Sequence, residues 1–103
     1  MREYLKFYID GQWIDPAQSN TFEVVNPATE EVAGTVSLGS SADVDKAVAA
    51  ARRAFPAWSA TSREERLALL EKILDVYQRR MGDIAAALTE EMGAPSYWRA
   101  ASR

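Results

Sequence analysis

The chain has 103 residues, 48% apolar and 26% charged, with a net charge of −3. That length holds one small domain or part of a larger one, the composition excludes a disordered chain, and the acidic balance with scattered basic residues excludes a nucleic-acid surface. Neither Cys nor His occurs, which excludes disulfides, thiolate nucleophiles, a Ser-His-Asp triad and any His or Cys metal site, leaving oxygen ligands for a hard or alkali cation.

Met1–Lys6 lacks the apolar run of a signal peptide, and no stretch approaches the length of a membrane span. The expectation is a soluble cytoplasmic protein with neither a membrane nor a nucleic acid as partner. Phe7-Tyr8-Ile9-Asp10-Gly11-Gln12-Trp13-Ile14 is the clearest hairpin signal. Asp10-Gly11 suits the two positive-φ positions of a type I′ turn between aromatic and β-branched strands. The cluster of Tyr4, Phe7, Tyr8 and Trp13 reads as packing of that hairpin against something larger, rather than as a stacking platform. Asp15-Pro16 ends the second arm, and Gln18-Ser19-Asn20 is a polar loop.

Thr21–Val25 follows as another strand, with Phe22 and Val24 alternating with Glu23. Pro27 removes a ladder donor and pushes Asn26 out of the helical region, so this strand stops at the Asn-Pro turn. Glu30-Glu31 makes a solvated corner; as neighbours on a turn they diverge too far for paired acid–base work. Val32–Leu38 returns as a further extended segment, in which Gly34 could mark a bulge.

At Ser40 the period changes. Ser40 can cap a helix and Asp43 sits in its negatively favoured first turn. Val44, Ala47, Val48, Ala51, Phe55 and Trp58 give one apolar stripe, and Pro56 places the helix end close by. A second start lies at Thr61-Ser62, since either hydroxyl has an acid three residues on. Leu67, Leu70, Leu74, Tyr77, Met81, Ile84 and Leu88 then recur regularly, with Ile73 and Val76 widening the stripe. Gly82-Asp83 interrupts it, so the expectation is two helices, Ser62 to Arg80 and Asp83 to Met92, meeting at a bend. Met92-Gly93-Ala94-Pro95 is a firm stop. The seven-residue spacing raises a coiled coil as a rival, but the stripe is wider than a two-helix seam.

Three pieces taken together carry a resemblance. They are Phe7–Trp13 with Phe22–Thr29, Ser41–Val48 with Ala51–Trp58, and Arg63–Leu70 leading to Glu90-Glu91-Met92-Gly93-Ala94-Pro95. In that order and spacing the chain resembles the N-terminal portion of the NAD(P)-dependent aldehyde dehydrogenase family, from about Phe7 to Pro95. The resemblance implies oxidation of an aldehyde to a carboxylic acid: a Cys attacks the carbonyl, hydride leaves to the nicotinamide of NAD or NADP, and a Glu-activated water releases the acid. The catalytic and cofactor-binding residues of that scheme have no counterpart in this chain, which is expected to be inactive alone.

One site does carry over by resemblance. Many family members hold a monovalent cation, K+ or Na+, on main-chain carbonyls before the Asn-Pro turn and on an acid before the later Gly. The matching positions are Val24, Val25 and Glu91, the last a Glu where the family commonly has Asp. The implied partners are the remainder of the enzyme, or a second copy through the Leu67–Leu88 stripe.

The fold class expected is α+β: a β-hairpin and extended strands over 1–39, one helix over 40–60 and two over 62–92, with 96–103 a tail that does not match the family. By resemblance, 1–95 is part of the α/β cofactor-binding domain of the full enzyme. The rival function is a self-associating helical module with no enzymatic role.

Overall fold

A computed structural model describes residues 2–99. In chain order it contains β1 (Arg2–Tyr4), β2 (Phe7–Ile9), β3 (Gln12–Ile14), β4 (Thr21–Val25), β5 (Val32–Ser37), α1 (Ser41–Ser59), α2 (Arg63–Met92) and a 3-10 turn at Ser96–Arg99. The α+β class and its order, strands before helices, are as expected. The last four residues of the expected tail, 100–103, lie outside the described residues. The chain divides into two compact units, Met1–Val24 with Val32–Ala60 and Val25–Glu31 with Thr61–Arg103.

In the first unit Asp10 and Gly11 have φ of 55° and 74°, both in the left-handed region the hairpin turn demands. The turn sets the register Phe7↔Ile14, Tyr8↔Trp13, Ile9↔Gln12. Tyr8 and Trp13 therefore face each other, with ring centroids 5.1 Å apart and planes tilted by 51°. Such a cross-strand aromatic pair contributes on the order of 1 kcal/mol. Both rings stay exposed.

A second sheet has the order β1-β5-β4. Its first strand, Arg2–Tyr4, is not foreshadowed by any pattern in the sequence; it runs parallel to β5 in the register Arg2↔Gly34, Glu3↔Thr35, Tyr4↔Val36. Gly34 marks this close approach: a Cβ there would stand 2.8 Å from the Arg2 carbonyl oxygen. The Ser37 hydroxyl donates to the Leu5 carbonyl at 2.7 Å and ties the far ends of the two strands.

Helix α1 begins with a reciprocal capping box between Ser40 and Asp43. Pro56 lies inside its last turns, and the helix closes at Ser59, whose hydroxyl donates to the Pro56 carbonyl at 2.9 Å. Among the described residues only Ala33, Gly34, Asp43 and Ala50 are buried. Of the expected apolar stripe of α1, Val44, Val48, Ala51, Phe55 and Trp58 are exposed and Ala47 is half-buried.

The second unit corrects the expected bend. Residues 63–92 form one uninterrupted helix, so the pair of helices expected over 62–92 is a single α2. Gly82 lowers helix propensity by only about 1 kcal/mol, too little to break a helix supported on both sides. Asp83 does not act as a cap; its carboxylate lies 3.5 Å from Arg80 Nε, one turn back. Arg79 pairs with Asp75 at 3.0 Å in the same way. Of the two candidate caps, Ser62 is used: its hydroxyl accepts from the Glu65 amide at 3.1 Å while the Glu65 carboxylate accepts from the Ser62 amide at 2.8 Å. Thr61 Oγ1 instead accepts from Arg66 Nε at 2.9 Å. At the other end Gly93, with φ 74°, caps α2 in the left-handed conformation.

Candidate functional site

Two places gather polar groups around a defined backbone, one in each unit. In the second unit the turn after β4 is built by Asn26. Its side-chain oxygen accepts from the Ala28 amide at 2.9 Å and from Thr29 at 3.4 Å, an Asx turn. The Asn26 amide donates to the Glu31 carbonyl at 2.9 Å and its carbonyl accepts from Glu30 at 2.8 Å. Glu30 takes a φ of 62° to close the loop, which makes it a conformational element of the corner. Glu30 and Glu31 both face solvent.

This turn meets the end of α2. Pro27 Cγ stands 2.9 Å from where a Cβ on Gly93 would be, so ring and cap are in direct contact. The last turn of α2 contains no basic residue, although the carbonyl end of a helix favours cations. Glu90 and Glu91 sit there instead, adding negative charge to a negative dipole end.

The three residues singled out as cation ligands are placed as follows. Val24 is half-buried on β4 in the first unit; Val25, the last residue of that strand, is 48% exposed and belongs to the second. Glu91 is exposed near the end of α2, two residues before Gly93. The second unit thus brings together the turn that follows Val25 and the helix end that carries Glu91. Among the described residues β4 is an edge strand, with no strand on its outer side. No group of three acidic, His or Cys side chains that could hold a metal ion exists among the described residues.

In the first unit the node is Asp43. One carboxylate oxygen accepts from the Ala17 amide at 2.9 Å; the other accepts from the Ser40 amide at 2.9 Å and the Ser40 hydroxyl at 3.0 Å. The amide of Ser40, then that of Ala17, hold this carboxyl below the ordinary Asp value, with smaller help from the Ser40 hydroxyl and Lys46 and against the cost of desolvation. Both oxygens are occupied, so Asp43 is a tether between the loop after β3 and the start of α1. Sequence reasoning gave it a favourable dipole position and missed the reciprocal bond; the Ser-x-x-Asp spacing was the available signal.

A groove of about 420 Å³ runs beside Asp43, lined by Phe7, Tyr8, Ile9, Gly39, Val44 and Ala47 with Lys6 at its rim. Its lining is mostly apolar, and both Asp43 oxygens beside it are already bonded, one to Ala17 and the other to Ser40. No helix among the described residues is long and apolar enough to cross a membrane.

The model of the aldehyde dehydrogenase family matches residues 13–101. Among curated proteins, a 3-succinoylsemialdehyde-pyridine dehydrogenase of a Pseudomonas species is 54% identical over 95 residues, covering 92% of this chain and 20% of that one. Among solved structures, an aldehyde dehydrogenase of Bartonella henselae superposes with a TM-score of 0.94 at 45% identity, covering 96% of this chain and 21% of the other. Aldehyde dehydrogenase C of Pseudomonas syringae, bound to NAD+ and octanal, gives 0.89 at 49% identity, over 91% of this chain and 19% of its own. An aldehyde dehydrogenase of Mycobacterium tuberculosis, complexed with NAD+, gives 0.87 at 39% over 93% and 20%. The chain spans about a fifth of the length of the relatives it matches.

Proposed function

The chain belongs to the aldehyde dehydrogenase family, and from that premise we infer that it forms the N-terminal, scaffold-building segment of an enzyme oxidising an aldehyde to a carboxylic acid with NAD or NADP. The observation that carries the reading is the match of nearly the whole chain to about a fifth of longer aldehyde dehydrogenases. Two of the matched structures hold NAD+, which supports a nicotinamide cofactor for the complete enzyme. The reaction needs a thiolate to form the thioester, and this sequence has no Cys. The segment therefore contributes framework: the Asx turn, the capped helices and the Asp43 tether. Incubated alone with NAD or NADP and an aldehyde, it forms no reduced cofactor; sustained reduction by the purified chain contradicts the reading.

The cation reading rests on the family resemblance, which matches Val24-Val25 before the turn and Glu91 before the glycine to the family's cation ligands. The residues suit K+ or Na+ through two main-chain oxygens and a single carboxylate. Its test is thermal melting in K+, in Na+ and in a bulky organic cation. The expected outcome is a higher midpoint with the small ions, lost in Glu91→Gln; equal midpoints in all three count against it.

A second reading, a self-associating module with no enzymatic role, draws on the exposure of Leu67, Leu70, Leu74, Ile84 and Leu88 along α2. It expects an oligomer in ultracentrifugation that dissociates when Leu70 or Leu74 becomes charged. A folded, strictly monomeric chain contradicts it.

A further inference from the structure

We propose that the Asp10-Gly11 bond at the tip of the β2–β3 hairpin is a modification site, where the main chain isomerises spontaneously from aspartate to isoaspartate and so undoes the hairpin it closes. The inference goes beyond the family reading and does not draw on it.

The step consumes one water and returns one. The Gly11 main-chain nitrogen attacks Cγ of Asp10. The new N–Cγ bond forms as the C–OH bond of the protonated carboxyl breaks, and the hydroxyl leaves with the amide proton as water. Water then opens the cyclic imide at either carbonyl. Breaking the new bond restores aspartate; breaking the original peptide bond leaves the chain running through Cβ and Cγ, with a free α-carboxylate. Nothing is oxidised or reduced.

The sequence confines this chemistry to one place. Asp10 is the only Asp or Asn followed by glycine, whose nitrogen no side chain shields. Asp15 and Asn26 precede proline, which has no N–H to lose, and Asn20 precedes the β-branched Thr21. The four remaining aspartates lie in α1 or α2, where the following amide is held by the helix; that of Val44 donates to the Ser40 carbonyl at 3.1 Å.

The fold leaves the site open. The ladder closes at the pair Ile9↔Gln12, so the Gly11 amide lies outside it. Nothing stands within 4 Å of the point a Cβ on Gly11 would occupy. The Asp10 carboxylate meets Arg53 at 3.7 Å with both side chains exposed, a weak restraint. Attack requires Asp10 to rotate out of its φ of 55°, and a loop tip opens at little cost. The product has one more main-chain atom in a loop of two residues. The turn then no longer matches the twist of its strands, and the register Tyr8↔Trp13 is lost with it. The ring pair, 5.1 Å between centroids, reports the event.

The test incubates the full chain at neutral pH in heavy-oxygen water, in buffer and in concentrated urea, for several weeks. Peptide mapping with electron-transfer fragmentation locates isoaspartate, and near-UV circular dichroism follows Tyr8 and Trp13. The expected result is isoaspartate at position 10 of the folded chain, at a rate within about tenfold of that in urea. Heavy oxygen enters the same peptide, and the aromatic signal declines in step. Asp10→Gly, which keeps a residue tolerant of positive φ, retains the signal; Asp10→Asn forms the same imide by losing ammonia and isomerises faster. A folded chain that stays unmodified while the urea-treated chain isomerises overturns the proposal. So does isoaspartate appearing as fast at the helical aspartates, or an aromatic signal that fades equally in Asp10→Gly.

Discussion

Pro27 and Gly93 are in contact so close that Gly93 has no room for a side chain. A Cβ would lie 2.9 Å from Pro27 Cγ, and Gly93 itself has a φ of 74°. The turn after β4 and the cap of α2 are therefore fitted to one another by a missing atom. Gly93→Ala places a methyl group against a rigid ring and strains the left-handed backbone. The two effects together cost about 2 kcal/mol. Urea denaturation of the single variants, of Pro27→Ala and of the double variant measures the coupling. Pro27→Ala is expected to recover the steric part in the double variant while the backbone part remains. Strictly additive losses would show that the ring and the cap do not meet.

Asp43 predicts a pH dependence with a definite sign. Its carboxyl is held below the ordinary Asp value of 3.8, chiefly by the amide of Ser40 and then that of Ala17. A folded-state value below the unfolded one means the ionised form is favoured by folding. Its stabilising contribution is thus fully present above the unfolded value and is lost as pH falls through the folded one. Acid titration monitored by circular dichroism should show stability falling below about pH 3.8, the ordinary Asp range. In Asp43→Asn this portion of the slope should be absent, along with protection of the Ala17 amide from hydrogen exchange. An unchanged acid slope would contradict the tether.

Gly82 predicts the opposite sign from Gly93. It lies inside α2 without a positive φ, and nothing stands within 4 Å of the point a Cβ would occupy. Gly82→Ala should therefore stabilise the chain by about 1 kcal/mol, the difference in helix propensity. A bend at this point with a left-handed glycine would make the same substitution destabilising, so a thermal melt separates a continuous helix from a broken one.

The sequence was legible where local chemistry decides the outcome. Asp10-Gly11 has only one common use between two β-prone runs, and the Ser62 and Glu65 spacing is a helix start in isolation. Gly82-Asp83 misled because the same pair can cap or simply pass through. What decided it was the continuity of the helix around them, with Asp83 facing Arg80. β1 was invisible for a different reason. Three residues carry no period, and their pairing partner, β5, lies about thirty residues away, so parallel register is a tertiary fact. The resemblance supplied Val24, Val25 and Glu91, whereas the contact of Pro27 with Gly93 and the bond from Ala17 to Asp43 needed the fold.

The central claim is that this chain is the framework segment of an aldehyde dehydrogenase. The most direct measurement replaces the matched segment of the Bartonella henselae enzyme with this chain, as a single polypeptide, and follows NAD reduction with an aldehyde. The expected result is a soluble fusion whose turnover is within about a hundredfold of the parent, since a misplacement of about 1 Å by a distant support costs about that much. A soluble fusion with no turnover beside an active parent would contradict it.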